Sequence, residues 1–293
     1  MRFKHIFCIG LLLFCLALTS NAQLLWRISG KDLPGDSFLF GTNHHMAVDY
    51  CDSIPGFNDA FSSVVQSYFE VNGTEITSVK PDIMPFMPKG QTIATLYDEK
   101  EMEEILDYLA IVFGKRFRSI NFTPYGLFDF IRNTLIGRVF HRDYGEDATM
   151  DLDLQYRAKA AGIPVFGLET NDFQMTLLYG NDLEKQASDL LEWIRSPESN
   201  PDYFVSAVRS FAKAYREEDL VSLNNFYSFD QSTQKAFRDD RNTTWYPIII
   251  DAIKDCPTFI AVGVGHLPGE KGLLALLRKS GYTITPVQCF CRK

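Results

Sequence analysis

Short apolar runs that end at glycine or at an acidic residue recur along the chain. The first two, "LLWRISG" and "SFLFGT", are separated by "KDLPGD", a Pro-Gly turn signal, and this arrangement predicts a β-hairpin. A third run, in "SSVVQSYFEVN", predicts a strand that ends near Glu70. The N-terminal part of the chain is therefore expected to supply strands of a sheet.

Helical periodicity dominates the middle of the chain. "DEKEMEEILDYLAIVFG" has acidic residues in its first turn and apolar residues at helical spacing, which predicts an amphipathic helix. "MDLDLQYRAKAAG" predicts another helix, closed by Gly162, and "IPVFGLET" predicts the strand that follows it. A helix joined to a strand by a short glycine turn is half of an α/β unit.

The C-terminal part returns to strands after a helical stretch. Residues 182–229 are helical in pattern with a break at "SPESNPD", and "NTTWYPIIIDAIKD" predicts a further helix. "CPTFIAVGVGHLPG" predicts a buried strand entering a glycine turn, and "KGLLALLRKSGYTITPV" a helix and a last strand. Together these elements predict an α/β (α+β) fold with a central mixed sheet, flanking helices and a helical insert.

The N-terminus has the pattern of a targeting segment. Arg2 and Lys4 precede an apolar run over residues 6–18, and "TSNAQ" follows. A charged start, an apolar run too short to span a bilayer and small residues at its end are typical of a secretory signal peptide. We expect cleavage after about Ala22, and a periplasmic or secreted protein whose residues 23–293 form a single domain. A retained membrane anchor is the alternative.

Charge and cysteine content limit the classes of partner and the disulfide pairings to be considered. A formal net charge of −8 disfavours nucleic acid and anionic membrane surfaces as partners. After signal cleavage four cysteines remain, which allow three pairings, and Cys289 and Cys291 are too close to bridge each other comfortably. A Cys51–Cys256 disulfide is attractive because both residues lie near the histidine turns. A four-cysteine zinc site is less favoured.

Two Gly-x-x-His motifs carry the candidate chemistry. Gly41-x-x-His44 and Gly263-x-x-His266 each follow an apolar run that ends in glycine. Ligands of α/β sheets gather outside the carboxyl ends of the strands, and glycine lets the backbone turn sharply there. If the two strands are neighbours, both histidines converge on one site. A catalytic metal usually needs three protein ligands, and Glu70 and Glu169 end strand-like runs where an acid is costly to bury unpaired.

Simpler interpretations stay open for these residues. Without a metal, a histidine would serve as general base and a glutamate would orient it. Glu70 and Glu169 would otherwise be salt-bridge or cap partners. His45 is expected to point away from His44 as a flanking residue, and His141, in "FHRDYGED", is expected in a solvated loop. The chain has no G-x-S-x-G, H-E-x-x-H or Walker motif.

Several blocks of the chain resemble the TraB/GumN family, which includes the TIKI metalloproteases. The blocks are "LLWRISG" through "FLFGTNHHM", "PKGQTIATLYDEKEMEEIL", "MDLDLQYRAKAAGIPVFGLET", "AYREEDLVSLNNFY", "DRNTTWYPIII" and "AVGVGHLPGEKGLLALLRKSGYTITPV". They extend from about Leu24 to Val287, and the last block is the most specific. The fold also resembles, more distantly, erythromycin esterase-like hydrolases and haem-binding ChaN-like proteins.

The resemblance implies a set of site residues and a metal. TIKI-type members are described as manganese- or cobalt-dependent peptidases, and zinc also suits two histidines and a carboxylate. The family motifs fall on the following residues of this sequence: Gly41, His44, Glu70, Glu169, Arg241, Asn242, Gly263 and His266. The extra histidine after the first motif leaves room for His45 as an accessory ligand.

The resulting expectation is a metal-dependent hydrolase, most simply a peptidase acting on a peptide or protein substrate. His44 and His266 would hold the metal, with Glu70 as ligand or general base and Glu169 as a second carboxylate. Arg241 would bind an oxyanion or a substrate carboxylate. The alternatives are a non-enzymatic binding protein that sequesters a peptide or haem in the same pocket, and a metal-free esterase. The sequence does not decide the oligomeric state.

Overall fold

A mixed sheet of six strands forms the centre of the described residues. The computed structural model describes residues 23–30, 32–75, 85–115, 117, 120–145, 149–180, 182–226 and 234–287. The strands are β1 (Leu25–Ser29), β2 (Ser37–Thr42), β3 (Gln66–Phe69), β4 (Val165–Gly167), β5 (Thr258–Gly263) and β6 (Thr283–Pro286). Their order across the sheet is β4-β3-β5-β2-β1-β6. The predicted α/β fold with a central mixed sheet is confirmed.

Four neighbouring strands run parallel and share one carboxyl edge. β2 pairs with β5, β5 with β3, and β3 with β4, all in parallel. In the β2–β5 pair, Thr42 lies opposite Gly263, so both strands end at the same level. β1 pairs antiparallel with β2, which confirms the predicted hairpin, and β6 pairs antiparallel with β1.

Helices cover the sheet and form the insert. They are α1 (Tyr50–Ser53), α2 (Phe57–Ser62), α3 (Glu99–Phe113), α4 (Pro124–Tyr144), α5 (Met150–Ala160), α6 (Asn171–Tyr179), α7 (Leu183–Arg195), α8 (Pro201–Arg216), α9 (Leu220–Phe226), α10 (Asp240–Asp255) and α11 (Leu273–Lys279). α3 starts with a capping box between Asp98 and Glu101 and stops at Gly114, whose φ is 70°. Across the described residues, no helix combines the length and apolarity needed to cross a membrane.

α4 corrects one sequence-based expectation. His141 was expected in a solvated loop, but it lies in the last turn of this helix, with an exposed side chain. The helix begins after the N-cap Thr123, with Pro124 in its first turn, and ends at Gly145, whose φ is 69°. Its internal Gly137 is a poor helix former, which weakens the sequence signal over this stretch.

Two apolar cores hold these layers together. The larger core packs around the sheet and includes Trp26, Phe40 and Phe259, all 2% exposed or less. The second lies among the helices of the insert and includes Ile105 of α3 and Ile131 of α4. The insert therefore has apolar packing of its own, while the sheet core fixes the strands whose ends carry the candidate site.

Cys51 and Cys256 do not form the disulfide that the sequence made attractive, since both residues are free thiols. Cys256 precedes β5, whereas Cys51 lies in α1, soon after β2 ends. Because β2 and β5 are parallel, these positions belong to opposite edges of the sheet. Cys51 is also fully buried, and burial raises the pKa of its thiol to about 12. Cys289 and Cys291 lie outside the described residues.

Candidate functional site

The shared carboxyl edge of the parallel strands carries the predicted site residues. Glu70 follows β3 directly, and Glu169 comes two residues after β4. The Glu169 backbone N–H donates to the Glu70 carbonyl at 2.9 Å, so the two acids are carried side by side. His44 follows β2, and His266 ends a 3₁₀ turn, Val264–His266, that continues β5. The strand order thus places all four residues at one edge of the sheet.

Glycine at both motif positions allows the loops and Glu70 to approach closely. A Cβ on Gly41 would lie 2.9 Å from Val264 Cγ2 and 3.1 Å from Val264 Cα. A Cβ on Gly263 would lie 3.1 Å from Glu70 Oε1, the atom to which the Gly263 N–H donates at 2.8 Å. Any larger side chain at Gly41 would push the two strand-end loops apart.

Arg241 lies between the two glutamates. Its Nη2 donates to Glu70 Oε2 at 2.5 Å and to Glu169 Oε1 at 2.8 Å, and its Nε donates to Glu169 Oε2 at 3.1 Å. Its Nη1 donates to the Phe237 carbonyl and faces His266 Nε2, each at 3.2 Å. A guanidinium has five N–H donors, and all five have acceptors within the protein. In this arrangement Arg241 has no donor left for the expected oxyanion or substrate carboxylate.

The same ion pairs set the charges of the two carboxylates. Burial raises the pKa of Glu70, but Arg241, His266 and the Gly263 N–H together lower it to about 2. For Glu169, burial is the larger effect and raises the pKa, opposed by Arg241 and by the Trp245 Nε1–H that donates to Oε2 at 2.9 Å. The environments therefore push the two pKa values in opposite directions, which is common at catalytic sites.

His266 is fixed in one tautomer by Asn242. The Asn242 Nδ2 donates to the carbonyls of His266 and Lys271, so its Oδ1 is the acceptor for the His266 Nδ1–H at 2.7 Å. The Nε2 lone pair then faces Arg241 and lies 3.7 Å from Glu70 Oε1. Burial lowers the pKa of His266 to about 3, so the ring is neutral. Asn242, expected as an accessory residue, thus orients this imidazole.

His44 is held by a carboxylate that the sequence did not single out. Its Nδ1 lies 2.5 Å from Asp151 Oδ2, and Asp151 Oδ1 accepts from Thr42 Oγ1 at 2.5 Å. The charge of Asp151 raises the pKa of His44 to about 9, although 65% of the His44 side chain is exposed. His44 is also close enough to Glu70 and His266 to influence the pKa of each. Because Asp151 engages Nδ1, Nε2 is the ring nitrogen that remains for a ligand, and it must release its proton to bind a metal ion.

The sequence as a whole matches a known protein family. A family model described as the TraB/PrgY/gumN family matches residues 24–286. The chain belongs to this family. No curated protein and no solved structure matched it. The match covers nearly the whole chain and includes each strand that contributes to the site of this TraB/PrgY/gumN protein.

Two further site residues were missed from sequence. Gln174 of α6 donates through Nε2 to Glu70 Oε2 at 3.3 Å and to Glu169 Oε1 at 3.2 Å. Trp245 of α10 lies under the Arg241 guanidinium, with Arg241 Cζ 4.5 Å from the Trp245 ring centroid. The centroids of the Trp245 and His266 rings are also 4.5 Å apart. A glutamine in a helix after "GLET" and a tryptophan one turn after Arg241 give no signal distinct from ordinary packing.

His45 takes a flanking position in this TraB/PrgY/gumN chain. Its ring stacks on Phe140 of α4 with centroids 5.8 Å apart, and its backbone N–H donates to Asn43 Oδ1 at 3.1 Å. Burial, followed by the charge of His44, lowers the pKa of His45 to about 4. The ring is therefore neutral, and its role as an accessory ligand stays a prediction.

The donor chemistry of the site fits a divalent metal ion. Both imidazoles are held through Nδ1 by an oxygen atom, as is usual for metal-bound histidines, which leaves Nε2 of His44 and of His266 as the ligand atoms. Glu70 supplies an ionised carboxylate. The spacing of these donors is wider than a metal site needs. Among the described residues, no three His, Cys, Asp or Glu side chains lie close enough together to hold a metal ion. A metal here would use the His266 lone pair that now faces Arg241.

Proposed function

We propose that this protein is an exported metal-dependent hydrolase, and specifically a peptidase, that acts at the carboxyl edge of its parallel strands. The observation that carries the proposal is the state of His266. Asn242 fixes its Nδ1–H, so Nε2 carries the lone pair, which faces Arg241 Nη1 at 3.2 Å and lies 3.7 Å from the ionised Glu70. A metal bound at Nε2 would displace the Arg241 contact. Family membership over residues 24–286 supports the assignment.

His44, His266 and Glu70 would hold the metal, which we expect to be manganese or cobalt, with zinc as a further candidate. A metal in such a set supplies Lewis acidity that polarises a carbonyl and activates water. Glu70 is better placed for the metal than Glu169. Its Oε1 accepts the Gly263 N–H and lies 3.7 Å from His266 Nε2, whereas each Glu169 oxygen accepts two side-chain N–H groups, from Arg241, Trp245 and Gln174. Arg241 instead neutralises the buried acids and keeps Glu70 ionised.

The exposed His44 ring is the site residue that a substrate meets first. His266, Glu70, Glu169 and Arg241 have side chains at most 11% exposed, whereas His44 is 65% exposed. Its Nε2 is the atom that remains for the metal, because Nδ1 is bound to Asp151. We therefore place the scissile carbonyl on the His44 side of the site.

The test is cleavage of a peptide library by the chain lacking residues 1–22, with and without Mn²⁺, Co²⁺ or Zn²⁺ and after chelation. We expect metal-stimulated cleavage that His44→Ala and His266→Ala abolish while the far-UV circular dichroism spectrum is unchanged. His141→Ala, on the exposed face of α4, is the matched control and should cleave normally. Full activity in either site variant would refute the proposal. Mass spectrometry of the exported protein would test cleavage after Ala22.

A binding protein that sequesters a peptide or haem is the second candidate. It is favoured by Arg241, whose N–H groups all have acceptors within the protein. The charges and hydrogen bonds of this part of the site are therefore balanced without a substrate. Turnover distinguishes the two functions. A sequestering protein would saturate at a fixed stoichiometry and release its ligand intact, whereas a metal-free esterase would turn over in the presence of chelator.

A further inference from the structure

We propose that Asp151 is a positioning residue for His44. It holds the ring through Nδ1 and so directs Nε2 to the metal. The inference rests on the hydrolase function proposed above. It adds to the site a residue that lies 107 positions from His44 in the sequence. The bonds of the carboxylate, the anchoring of Asp151 and the exposure of His44 each support this role.

The Asp151 carboxylate joins two residues of the first Gly-x-x-His motif. One oxygen binds His44 Nδ1 and the other accepts from Thr42 Oγ1, each at 2.5 Å. Thr42 is the last residue of β2 and is buried, so it provides a fixed point at the sheet edge. With both oxygens engaged, the carboxylate orients the imidazole relative to the strand. Carboxylate–histidine pairs of this kind fix the ring orientation and raise the basicity of the other nitrogen.

The position of Asp151 is itself fixed by buried contacts. Asp151 lies in the first turn of α5, where the helix dipole favours a negative charge. Its neighbour Met150 is fully buried, with Sδ 3.6 Å from the Tyr215 hydroxyl. That hydroxyl, also buried, donates to the Gly41 carbonyl at 2.8 Å. Tyr215 therefore links the start of α5 to the end of β2, the element after which His44 follows.

Without this carboxylate the His44 ring would be free to turn. Most of its side chain is exposed, so apolar packing does not select one rotamer. Thr42 and Met150 would remain in place, because both are buried against the sheet. Loss of Asp151 should therefore disorder the ring while it leaves the fold intact, which separates a positioning role from a structural one.

The experiment compares Asp151→Ala with Asp153→Ala. Asp153 is in the same turn of α5, and its Oδ2 accepts from Thr149 Oγ1 at 3.2 Å, so it controls for loss of one carboxylate at the helix N-terminus. In protein labelled with ¹⁵N-histidine, we expect one hydrogen-bonded ring N–H signal that is lost in His44→Ala and in Asp151→Ala but is kept in Asp153→Ala. This readout needs neither a metal nor a substrate.

Function supplies the second readout. We expect Asp151→Ala to weaken Mn²⁺ or Co²⁺ binding, measured by titration calorimetry, and to lower kcat, each by about 10- to 100-fold, with KM little changed. Thr42→Val, which removes the hydroxyl that holds Oδ1, should act in the same direction with a smaller loss. Melting temperatures of all variants should stay near that of the wild type.

The outcomes separate the two proposals. If His44→Ala abolishes cleavage but Asp151→Ala keeps wild-type kcat and metal affinity, the positioning role is overturned, whereas the hydrolase proposal is not. If His44→Ala cleaves normally, the proposed hydrolase mechanism fails. The histidine N–H signal still decides the positioning role in that case, because its persistence in Asp151→Ala would overturn it.

Discussion

Arg241 and Glu169 face each other through two hydrogen bonds, from Nε to Oε2 at 3.1 Å and from Nη2 to Oε1 at 2.8 Å. The pair is buried, with side chains 8% and 4% exposed. We predict that Arg241→Ala lowers the free energy of unfolding by about 3–5 kcal/mol, because it leaves the buried carboxylates of Glu70 and Glu169 without their cation. Urea denaturation at neutral pH measures this loss.

Arg195→Ala is the control for that prediction, since Arg195 makes a similar two-bond pair with Glu104 at an exposed position. Exposed pairs contribute little, because water and salt screen them, so this variant should unfold close to the wild type. Equal losses of unfolding free energy in the two variants would show that burial does not strengthen the contribution of the Arg241 ion pairs to stability.

Gly41 offers a second test, of the close approach between the two motif loops. Gly41→Ala places a Cβ 2.9 Å from Val264 Cγ2 and 3.1 Å from the Val264 backbone, so we expect a loss of stability of about 1–3 kcal/mol. Gly137→Ala in α4 is the matched control, because its Cβ would meet nothing within 4 Å. It should stabilise the protein by about 0.5–1 kcal/mol. Thermal and urea unfolding should show a loss of stability for Gly41→Ala and a gain for Gly137→Ala.

The strand ends could be predicted from the sequence because each strand is a short apolar run with a clear stop. β2 and β5 stop at a glycine motif, and Glu70 and Glu169 follow β3 and β4. Strand order was not available from these local patterns. The pairing of β2 with β5 joins residues more than 200 positions apart, such as Thr42 and Gly263, and only the folded chain shows it.

The partners of the site residues could not be predicted for a related reason. Asp151 looks like any acid in the first turn of a helix, and its link to Thr42 spans 109 positions. Nothing in the sequence around Arg241 indicates that all of its N–H donors are used within the protein. Periodicity identifies which face of an element is buried, but it does not say which polar groups meet when the elements pack.

Trp245 allows a test of the buried network from its apolar side. Trp245→Phe keeps an aromatic ring beside His266 but removes the Nε1–H that donates to Glu169 Oε2 at 2.9 Å. A hydrogen bond to a charged group contributes about 1.5–3 kcal/mol, so we expect a loss of that size in urea denaturation. Trp193→Phe, whose ring packs against Tyr108 and Phe128 in the second core, should lose less. A larger loss for Trp193→Phe would contradict the role given to the indole N–H.

Glu218 predicts a dependence of stability on pH that is independent of the site. It follows α8 with a φ of 56°, is half-buried, and accepts the Leu24 N–H at 3.0 Å. Burial raises the pKa of Glu218, and the Leu24 N–H opposes this only in part. The folded state therefore binds the proton more tightly than the unfolded state does. Its contribution to stability is fully present below the unfolded pKa and is lost as pH rises through the folded pKa.

Glu218→Gln isolates this contribution, because the amide keeps an acceptor for Leu24 but does not ionise. We expect the free energy of unfolding of the wild type, minus that of Glu218→Gln, to fall as pH rises from below about 4 to neutrality. Urea denaturation across this range measures the difference. Glu217→Gln, at the exposed neighbouring position, controls for the loss of one surface charge. A difference that rises with pH would mean that the folded state favours the ionised Glu218, and the sign assigned to its burial would be wrong.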